Sequence, residues 1–561
     1  MRAVRLLTVL LPLLAAGHAF ADAPDAKSLF PAGARRGETV DVTATGAFKP
    51  WPVKAFITGS DVRIEPTKTE GKFSIVVGPN AEPGLRWIRF ANDDGVTAAR
   101  PFIIGSLVEI NEKEPNEDLP QATEVGGEPR VVNGTLAKGD KGADLDTYRV
   151  PLKKGSTLVA ALDANRTLGS PIDGVLQIVS AGGFVLAQCH DELGLDPRIA
   201  FTAPADGDYF VRVFGFTSVG TTALRFVGDP MGIYRLTLTT EAYVDFVFPP
   251  RHPQASPGAE TPNGWNLAKA KSSSTPIAAT VQVPSGTSNP DYHRSAKIVS
   301  EEPKSANLQL IAAPVVVAGR IDRSGDRDVY ALQVVKNQSL RIRVISQELA
   351  FPVDPLLKIE SPDGTQLLRA DDDKRGEYDV DANFRAAADG EIRLVVEDLF
   401  GAGGERYVYL LDVRTVEPDF ELAFATSELY GRVGEDVEIP ITIERVGGLA
   451  DDIEIRLEGL PTEIGAATAV STAKGESAKK VTLKLKGAKT FTGPVRVVGT
   501  TVPAAPPAPK PGAKADSKPA AKDPPKPAAP LRRLAIAKIA AVTGASIDEV
   551  LLVVGPQKPK K

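Results

Sequence analysis

Hydrophobic and polar residues alternate in short runs along most of the chain. In residues 39–45, 437–443 and 480–485 every second side chain is apolar, and Gly or Pro residues separate such runs. Side chains of a strand point alternately to the two faces of a sheet, so a period of two predicts half-buried strands. Long segments with apolar residues at helical spacing are almost absent. The pattern therefore predicts an all-β fold.

Length and composition extend this prediction from one module to several. At 561 residues and 59.3 kDa the chain is too long for a single domain. Domains of ordinary size would divide it into roughly three to five units. The content of Gly (50) and Pro (46) is typical of short strands joined by turns. We therefore expect a series of β-sandwich modules.

The first residues have the features of a signal peptide. Arg2 and Arg5 provide positive charge ahead of the apolar residues 6–16. Residues 19–21 (Ala-Phe-Ala) place alanines at the two positions where cleavage after residue 21 requires small side chains. Nothing later approaches the roughly 20 apolar residues that span a bilayer. We expect an exported protein, periplasmic, secreted or on the cell surface, with a signal peptide over residues 1–21 and no transmembrane segment.

Charge and titratable residues exclude several functions. The net charge is −5 and no basic block is interleaved with aromatic residues, so nucleic acid is not an expected partner. After the signal peptide the chain has three histidines (His190, His252 and His293) and neither a Gly-x-Ser-x-Gly nor a His-Glu-x-x-His motif. Cys189, the only cysteine, precedes His190, but neighbouring strand side chains point to opposite faces. We expect no catalytic residues.

Two segments, residues 113–240 and 301–414, have one pattern in common. Aligned at an offset of about 183 residues, both contain a glycine, an Asp-x-Asp-x-Tyr element, a Pro-x-Asp element, an Ala-Asp-Gly element and a Tyr-rich closing strand, in that order. The ordered matches indicate two copies of one module. The first copy has these features at Gly134, 144–148, 170–173, 205–207 and Tyr234, and the second has them at Gly319, 326–330, 351–354, 388–390 and Tyr407.

The C-terminal part of the chain contains an interruption. Residues 417–555 alternate as a last sandwich, but residues 503–530 are an Ala/Pro/Lys tract that cannot bury a core. Because the apolar run 548–554 is too short to fold alone, we interpret the tract as an insertion before a closing strand; a linker to a separate tail is the alternative. The other predicted units are residues 25–108, a first sandwich, 242–300, a short module or linker, and 556–561, a basic tail.

An acidic segment in the second repeat is one possible metal site. Residues 371–373 (Asp-Asp-Asp) and Gly376 resemble part of a calcium loop. Arg375 and Ala382, however, stand where that loop needs oxygen ligands. We therefore interpret this segment as a solvated turn.

A second acidic segment lies at the start of the first repeat. Glu112, Glu114, Asn116 and Glu117 offer four oxygen-bearing side chains within six residues. Hard cations such as Ca²⁺ bind several oxygen ligands at once. This segment is a candidate metal site, with an ordinary charged linker as the alternative.

Several of these motifs resemble one known family. Residues 114–117 (Glu-Pro-Asn-Glu), 134–136 (Gly-Thr-Leu) and 205–213, together with the Asp-x-Asp-x-Tyr element, are similar to the bacterial pre-peptidase C-terminal (PPC) domain. The resemblance covers both repeats and implies jelly-roll-like β-sandwiches. Such modules accompany secreted proteases, and they also occur without a protease in exported multi-module proteins such as those of planctomycetes. The first, the short and the last module resemble the immunoglobulin-like modules found beside them.

The resemblance also implies a calcium site in the first repeat. In the family, a Glu-x-Glu-Pro-Asn-Asp segment that enters the sandwich joins an aspartate loop around the ion. This chain keeps the pattern with Glu117 in place of the final Asp, whereas the second repeat has Lys304 in place of the Asn. A lysine ammonium would repel calcium, so we expect the ion only in the first repeat. The implied ligands are Glu112, Glu114, Asn116, Glu117, Asp144 and Asp146.

Three functions from different classes agree with these observations. The first is a non-catalytic binding or adhesion protein of the cell envelope or surface, with a glycan or a protein as its partner. The second is a structural spacer of the envelope or surface layer. The third is an accessory part of a secreted protease that has no catalytic site of its own. We prefer the first because it accounts for both the repeats and the absence of catalytic motifs.

Overall fold

The structure is a computed structural model of the chain. It describes residues 22–137, 143–218, 225–250, 261–269, 277–278, 297–300, 308–372, 378–465, 467–502, 529–539, 542 and 545–557. Strands make up nearly all of the regular structure, and the prediction of an all-β fold with tandem β-sandwiches is confirmed. The predicted signal peptide and most of the Ala/Pro/Lys tract lie outside these residues. In the part described, no helix combines the length and the hydrophobicity that crossing a membrane requires.

Among the described residues, helical structure is confined to single turns. The one α-helix among the described residues, α1, spans Asn165–Leu168. Short 3₁₀ turns span Leu119–Gln121, Leu267–Lys269, Gln347–Leu349, Thr462–Ile464 and Glu476–Ala478.

The N-terminal sandwich consists of two sheets with strand orders β1-β3-β6-β5 and β2-β9-β7-β4, and the short β8 pairs with β7. Its core is aromatic: the rings of Phe73 and Phe90 lie 4.4 Å apart, and Phe48 packs edge-on against both. The strands are β1 (Asp25–Phe30), β2 (Gly33–Arg35), β3 (Thr39–Ala47), β4 (Lys54–Ile57), β5 (Val62–Pro66), β6 (Lys72–Val77), β7 (Gly84–Asn92), β8 (Gly95–Val96) and β9 (Arg100–Gly105).

The first repeat sandwich has two five-stranded sheets, ordered β10-β12-β19-β14-β17 and β11-β13-β18-β15-β16. The first strand of each sheet runs parallel to its neighbour, and the other pairs are antiparallel. The strands are β10 (Val108–Asn111), β11 (Thr123–Glu124), β12 (Arg130–Thr135), β13 (Asp146–Leu152), β14 (Thr157–Asp163), β15 (Ile172–Ser180), β16 (Val185–Cys189), β17 (Arg198–Thr202), β18 (Gly207–Thr217) and β19 (Ile233–Thr239).

The second repeat sandwich has the same architecture strand for strand, with orders β23-β25-β32-β27-β30 and β24-β26-β31-β28-β29. Its first strand lies in residues that the predicted boundaries assign to the short module. The strands are β23 (Lys297–Ser300), β24 (Gln309–Ile311), β25 (Val315–Arg320), β26 (Asp328–Val334), β27 (Ser339–Ile345), β28 (Pro355–Glu360), β29 (Gln366–Ala370), β30 (Val380–Arg385), β31 (Gly390–Asp398) and β32 (Val408–Thr415).

A small three-stranded sheet lies between the two repeat sandwiches. It consists of β20 (Tyr243–Phe248), β21 (Thr261–Trp265) and β22 (Ile277–Ala278), with β20 in the middle. The buried Asp245 on β20 binds Arg198 of the first repeat sandwich at 2.6 Å and also Arg406 of the second. One carboxylate therefore connects both repeat sandwiches through the short sheet.

The C-terminal sandwich is completed by strands that follow the Ala/Pro/Lys tract. Strand β42 lies between β34 and β39, and β40 lies between β39 and β33. Both are therefore interior strands of the module. The strands are β33 (Asp419–Phe424), β34 (Glu428–Arg432), β35 (Asp436–Val446), β36 (Asp452–Glu458), β37 (Thr468–Ser471), β38 (Lys480–Lys486), β39 (Phe491–Val502), β40 (Arg532–Lys538), β41 (Ser546–Ile547) and β42 (Val550–Gly555).

The N-terminal and C-terminal sandwiches contact each other. Leu551 and Val553 of β42 pack against Ala91 and Val96 in one apolar cluster. Close to it, Arg432 forms an ion pair with Asp94 and also donates to a main-chain oxygen near the end of β42. The first and last sandwiches of the chain therefore meet along strand β42.

Candidate metal centre

Strand pairing brings two distant acidic segments together at one end of the first repeat sandwich. Glu112, Glu114 and Asn116 follow β10, whereas Asp146 opens β13. Two hydrogen bonds join the segments: the Thr147 amide donates to the main-chain oxygen of Asn116 at 3.1 Å, and the Thr147 hydroxyl donates to that of Glu117 at 3.1 Å. The loop after β10 is thereby fixed across the start of β13.

Three carboxylates converge at this junction. Oxygen atoms of Glu112, Glu114 and Asp146 lie within 4.8 Å of one another. Asp146 is fully buried, and its Oδ1 has no hydrogen-bond partner. Such a group is costly to bury unless a cation or a donor compensates it.

Asn116 adds a second unsatisfied group in the same loop. Its side chain is fully buried, and neither the amide oxygen nor the amide nitrogen has a hydrogen-bond partner. A buried amide without partners is rare in folded proteins. Its oxygen is a ligand type that Ca²⁺ accepts.

Two buried tyrosines support the carboxylates from below. The Tyr234 hydroxyl donates to Asp146 and lies 3.2 Å from Glu112 Oε2, and the Tyr148 hydroxyl contacts that of Tyr234. Glu112 Oε1 accepts a hydrogen bond from the Thr135 amide at 2.7 Å. Asp146 and Tyr148 share a face because they are two residues apart on β13. The tyrosines and the amide fix the carboxylates of Glu112 and Asp146 in position.

Burial and mutual repulsion destabilise the ionised form of the carboxyl groups in the cluster. Burial, with Glu114 nearby, raises the pKa of Glu112 to about 7. Burial, again with Glu114, raises the pKa of Asp144 to about 6. Burial and the neighbouring Glu112 raise the pKa of Asp146 well above its usual value. A bound divalent cation would relieve both the desolvation and the repulsion.

The six predicted ligands are not all equivalent in the structure. Glu112, Glu114 and Asp146 form the cluster, and Asn116 lies buried in its loop. Asp144 is buried beside them, and its Oδ1 accepts from the Leu145 amide at 3.0 Å. The Glu117 side chain is half-buried outside the group of three carboxylates.

Sequence reasoning missed the tyrosine support, although one signal for it was present. Gly134 on β12 pairs with Tyr234 on β19, and a β-carbon at Gly134 would overlap the Tyr234 ring. The glycine common to both repeats is therefore the residue that admits the tyrosine. In the second repeat sandwich Gly319 pairs with Tyr409 in the same way, so Tyr409, and not Tyr407, is the counterpart of Tyr234.

We expect Gly134→Ala to lower the free energy of unfolding of the first repeat sandwich by about 2 kcal/mol, because the added methyl must displace a packed ring. Gly127→Ala is the matched control, since its β-carbon would meet no atom within 4 Å. Amide hydrogen exchange in β12 and β19 under mild denaturant measures the effect. Equal protection in the two variants would contradict this role of Gly134.

The second repeat sandwich keeps the tyrosines and both aspartates, Asp326 and Asp328. The Tyr409 hydroxyl donates to Asp328 at 2.8 Å and lies 2.6 Å from the Tyr330 hydroxyl. Asp326 accepts from the main-chain amides of Asp322 and Arg327. The segment with Lys304 lies outside the described residues, so its expected effect on calcium stays a prediction.

The other candidate groups remain separate. The Cys189 thiol is half-buried against the core, and burial raises its pKa, whereas the His190 imidazole is exposed and bonds Asp191 at 2.9 Å. Asp371 forms an ion pair with Arg369 at 2.9 Å. The predicted turn residues after Asp372 lie outside the described residues, and so do His252 and His293.

Comparison with known proteins finds a family match within the first repeat sandwich. The family model of the bacterial pre-peptidase C-terminal domain matches residues 144–215. A probable subtilase-type serine protease of Deinococcus radiodurans is 30% identical over 122 residues, which are 21% of this chain and 16% of that protein. The chain thus spans a small part of this relative.

Solved structures give weaker similarity. The pre-peptidase C-terminal domain of a Bacillus anthracis collagenase is 19% identical and covers 20% of this chain and 99% of its own, with a TM-score of 0.16. Trypsin-activated alpha-2-macroglobulin of Escherichia coli is 9% identical and covers 85% of this chain and 40% of its own, with a TM-score of 0.13. The family match identifies residues 144–215, in the first repeat sandwich, as a bacterial pre-peptidase C-terminal domain.

Proposed function

We propose that this protein is an exported, non-catalytic, multi-module binding or adhesion protein of the cell envelope or surface. We also propose that its first repeat sandwich, called the PPC sandwich from here on, holds one calcium ion. The second repeat sandwich is a second PPC module, which its identical strand order and its Gly319–Tyr409 pairing support. The N-terminal and C-terminal sandwiches are immunoglobulin-like modules. Calcium binds the first repeat and not the second.

The observation that carries the calcium proposal is the acidic cluster, in which Asp146 is fully buried, Glu112 is half-buried and Glu114 is exposed, together with its unsatisfied atoms. Glu112, Glu114 and Asp146 provide three carboxylates, and Asn116 provides a buried carbonyl oxygen without a partner. Ca²⁺ takes six to eight oxygen ligands and tolerates irregular geometry, so these residues fit it. The ion would supply the positive charge that the buried carboxylates lack. It would also connect the loop after β10 to β13.

One observation favours a second candidate, an accessory part of a secreted protease. The curated relative is described as a probable subtilase-type serine protease, and the matched region is limited to 122 residues. The PPC sandwich would then serve a catalytic domain that belongs to another polypeptide. Stable co-purification of a protease with the exported protein would favour this candidate over a binding protein that acts alone.

We expect calorimetric titration of the full chain with CaCl₂ to give one site, with a dissociation constant on the order of 10⁻⁴ to 10⁻³ M, as in other extracellular calcium modules. Asp146→Asn should abolish the binding heat because it removes a buried carboxylate at the centre of the cluster. Asp328→Asn, the same change at the corresponding position of the second repeat, should leave it unchanged. Binding that survives Asp146→Asn, or that Asp328→Asn halves, would contradict the assignment.

A further inference from the structure

A groove of about 670 Å³ opens beside the acidic cluster. It lies between the edge strands β10 and β11, where the two sheets of the PPC sandwich part. Glu114 lines this groove and also belongs to the group of three carboxylates. The calcium site proposed above therefore borders the groove.

The other charged residues of the groove are two cations and one carboxylate, Glu124. Lys113 and Arg130 line it, and within the described residues neither has a carboxylate at ion-pair distance. Arg130 Nε is buried without a hydrogen-bond partner. The acidic residue of the opposite wall, Glu124, pairs with Arg149 at 2.6 Å, and Arg149 also pairs with Asp208 at 3.0 Å. Two cations are thus left without a counter-charge.

Calcium would remove the remaining negative charge. With the ion at the cluster, the Glu114 carboxylate is compensated, and the groove keeps the charges of Lys113 and Arg130. A concave site with an excess of one sign of charge concentrates ligands of the opposite sign. The complementary ligand is an anion.

The groove suits an oligosaccharide better than an extended peptide. A peptide that adds to a sheet edge depends on a row of main-chain hydrogen bonds, but β10 has four residues and β11 has two. Hydroxyl and amide side chains of Asn111, Gln121 and Thr123 line the groove instead. Such groups match the hydroxyls of a sugar.

We propose that this groove binds an acidic glycan, whose carboxylates face Lys113 and Arg130, and that calcium at the adjacent cluster strengthens the binding. The proposal rests on the calcium site proposed above. It gives the binding function a ligand class, a uronate-bearing oligosaccharide.

The test is calorimetry of the full chain with a hyaluronan hexasaccharide as the probe, in millimolar CaCl₂ and in EDTA. We expect binding with calcium and at least about tenfold weaker binding in EDTA. Arg130→Gln should weaken the calcium-dependent binding about tenfold, since a charged hydrogen bond contributes roughly 1.5 kcal/mol. Arg225→Gln, at an exposed arginine of the same sandwich outside the groove, should bind like the parent.

Any other outcome contradicts the ligand class, the location of the glycan site or the calcium proposal. If calcium binds but the hexasaccharide does not, the groove is not a glycan site, while the calcium proposal stands. Binding of tetraglutamate in place of the hexasaccharide would assign the groove to acidic peptides. Hexasaccharide binding that neither EDTA nor Arg130→Gln changes would place the glycan elsewhere. If calcium itself does not bind, the proposed function fails together with this inference.

Discussion

A chain that ends at residue 500 is expected to lose the folded C-terminal sandwich altogether. It lacks β40 and β42, both of which lie between other strands. Ala535, Ala537, Val550, Leu552 and Val554 of these strands are buried in its core. Burial of a Val or Leu side chain contributes about 1.5 to 3 kcal/mol, so the loss of Val550, Leu552 and Val554 alone costs about 4.5 to 9 kcal/mol, which is comparable with the 5 to 15 kcal/mol by which a domain is usually stable.

Deleting residues 504–529 is the matched control and should have little effect. It leaves Val502, Pro503 and Pro530 between Thr501 and Leu531, whose main chains are already hydrogen-bonded at 2.9 Å. Three residues are an ordinary length for a hairpin loop. Calorimetry should show the parent transition in the deletion variant and a missing transition in the truncated chain. If the truncated chain melts like the parent, β40 and β42 are dispensable and the tail is separate.

Without calcium, the PPC sandwich is expected to lose stability as the pH rises from about 5 to 8. The pKa of Glu112 is raised to about 7 and that of Asp144 to about 6, chiefly by burial. A raised pKa means that the folded state holds the proton more tightly than the unfolded chain, whose carboxyls titrate near pH 4. The stabilisation that comes from holding these protons is therefore complete below about pH 4, and it is lost as the pH rises through the folded-state pKa values of 6 to 7. The shift of Glu112 alone corresponds to about 3 kcal/mol.

Calcium should reverse this dependence. The ion binds the deprotonated carboxylates, so its affinity falls as protons compete below about pH 7, and it stabilises the sandwich most at pH 8. Hydrogen exchange in β13 and β19, followed at pH 5.5 and pH 8 with EDTA or CaCl₂ and corrected for the intrinsic exchange rate, measures both effects. Asp146→Asn should remove the response to calcium, whereas the metal-free dependence on pH should remain, because burial still raises the pKa of Glu112 and of Asp144. A metal-free protein that is most stable at pH 8 would show that the cluster does not hold its protons.

The sequence predicted the fold class because the alternation of apolar residues is a local property. That Asp146 belongs with the segment from Glu112 to Glu117 was expected only from the resemblance to the PPC family. The segment itself was visible as a dense set of oxygen ligands. What each side chain contacts was not visible, because partners on other strands lie far away in sequence.

The differences from prediction have the same origin. Tyr407 and Tyr409 are both candidates to face the core, and only the pairing of β25 with β32 decides that Tyr409 lies opposite Gly319. The predicted boundaries placed β10 and β23 before the repeats, because the pattern of apolar residues in a strand does not show which sheet the strand joins. The burial of Asn116 depends on the loop crossing β13. Contacts between modules, such as Asp245 with Arg406, join residues more than 150 positions apart.

The position of β42 sets an order for the assembly of the molecule. A ribosome makes about 5 to 20 residues per second from the N-terminus, and domains generally fold as units. The N-terminal sandwich and both repeats have all of their strands before residue 416, whereas the C-terminal sandwich waits for residues 550–555. This segment includes Leu551 and Val553, through which the C-terminal sandwich packs against the N-terminal sandwich. Strand β42, which emerges after all the other described strands, therefore both completes the C-terminal sandwich and joins it to the N-terminal one.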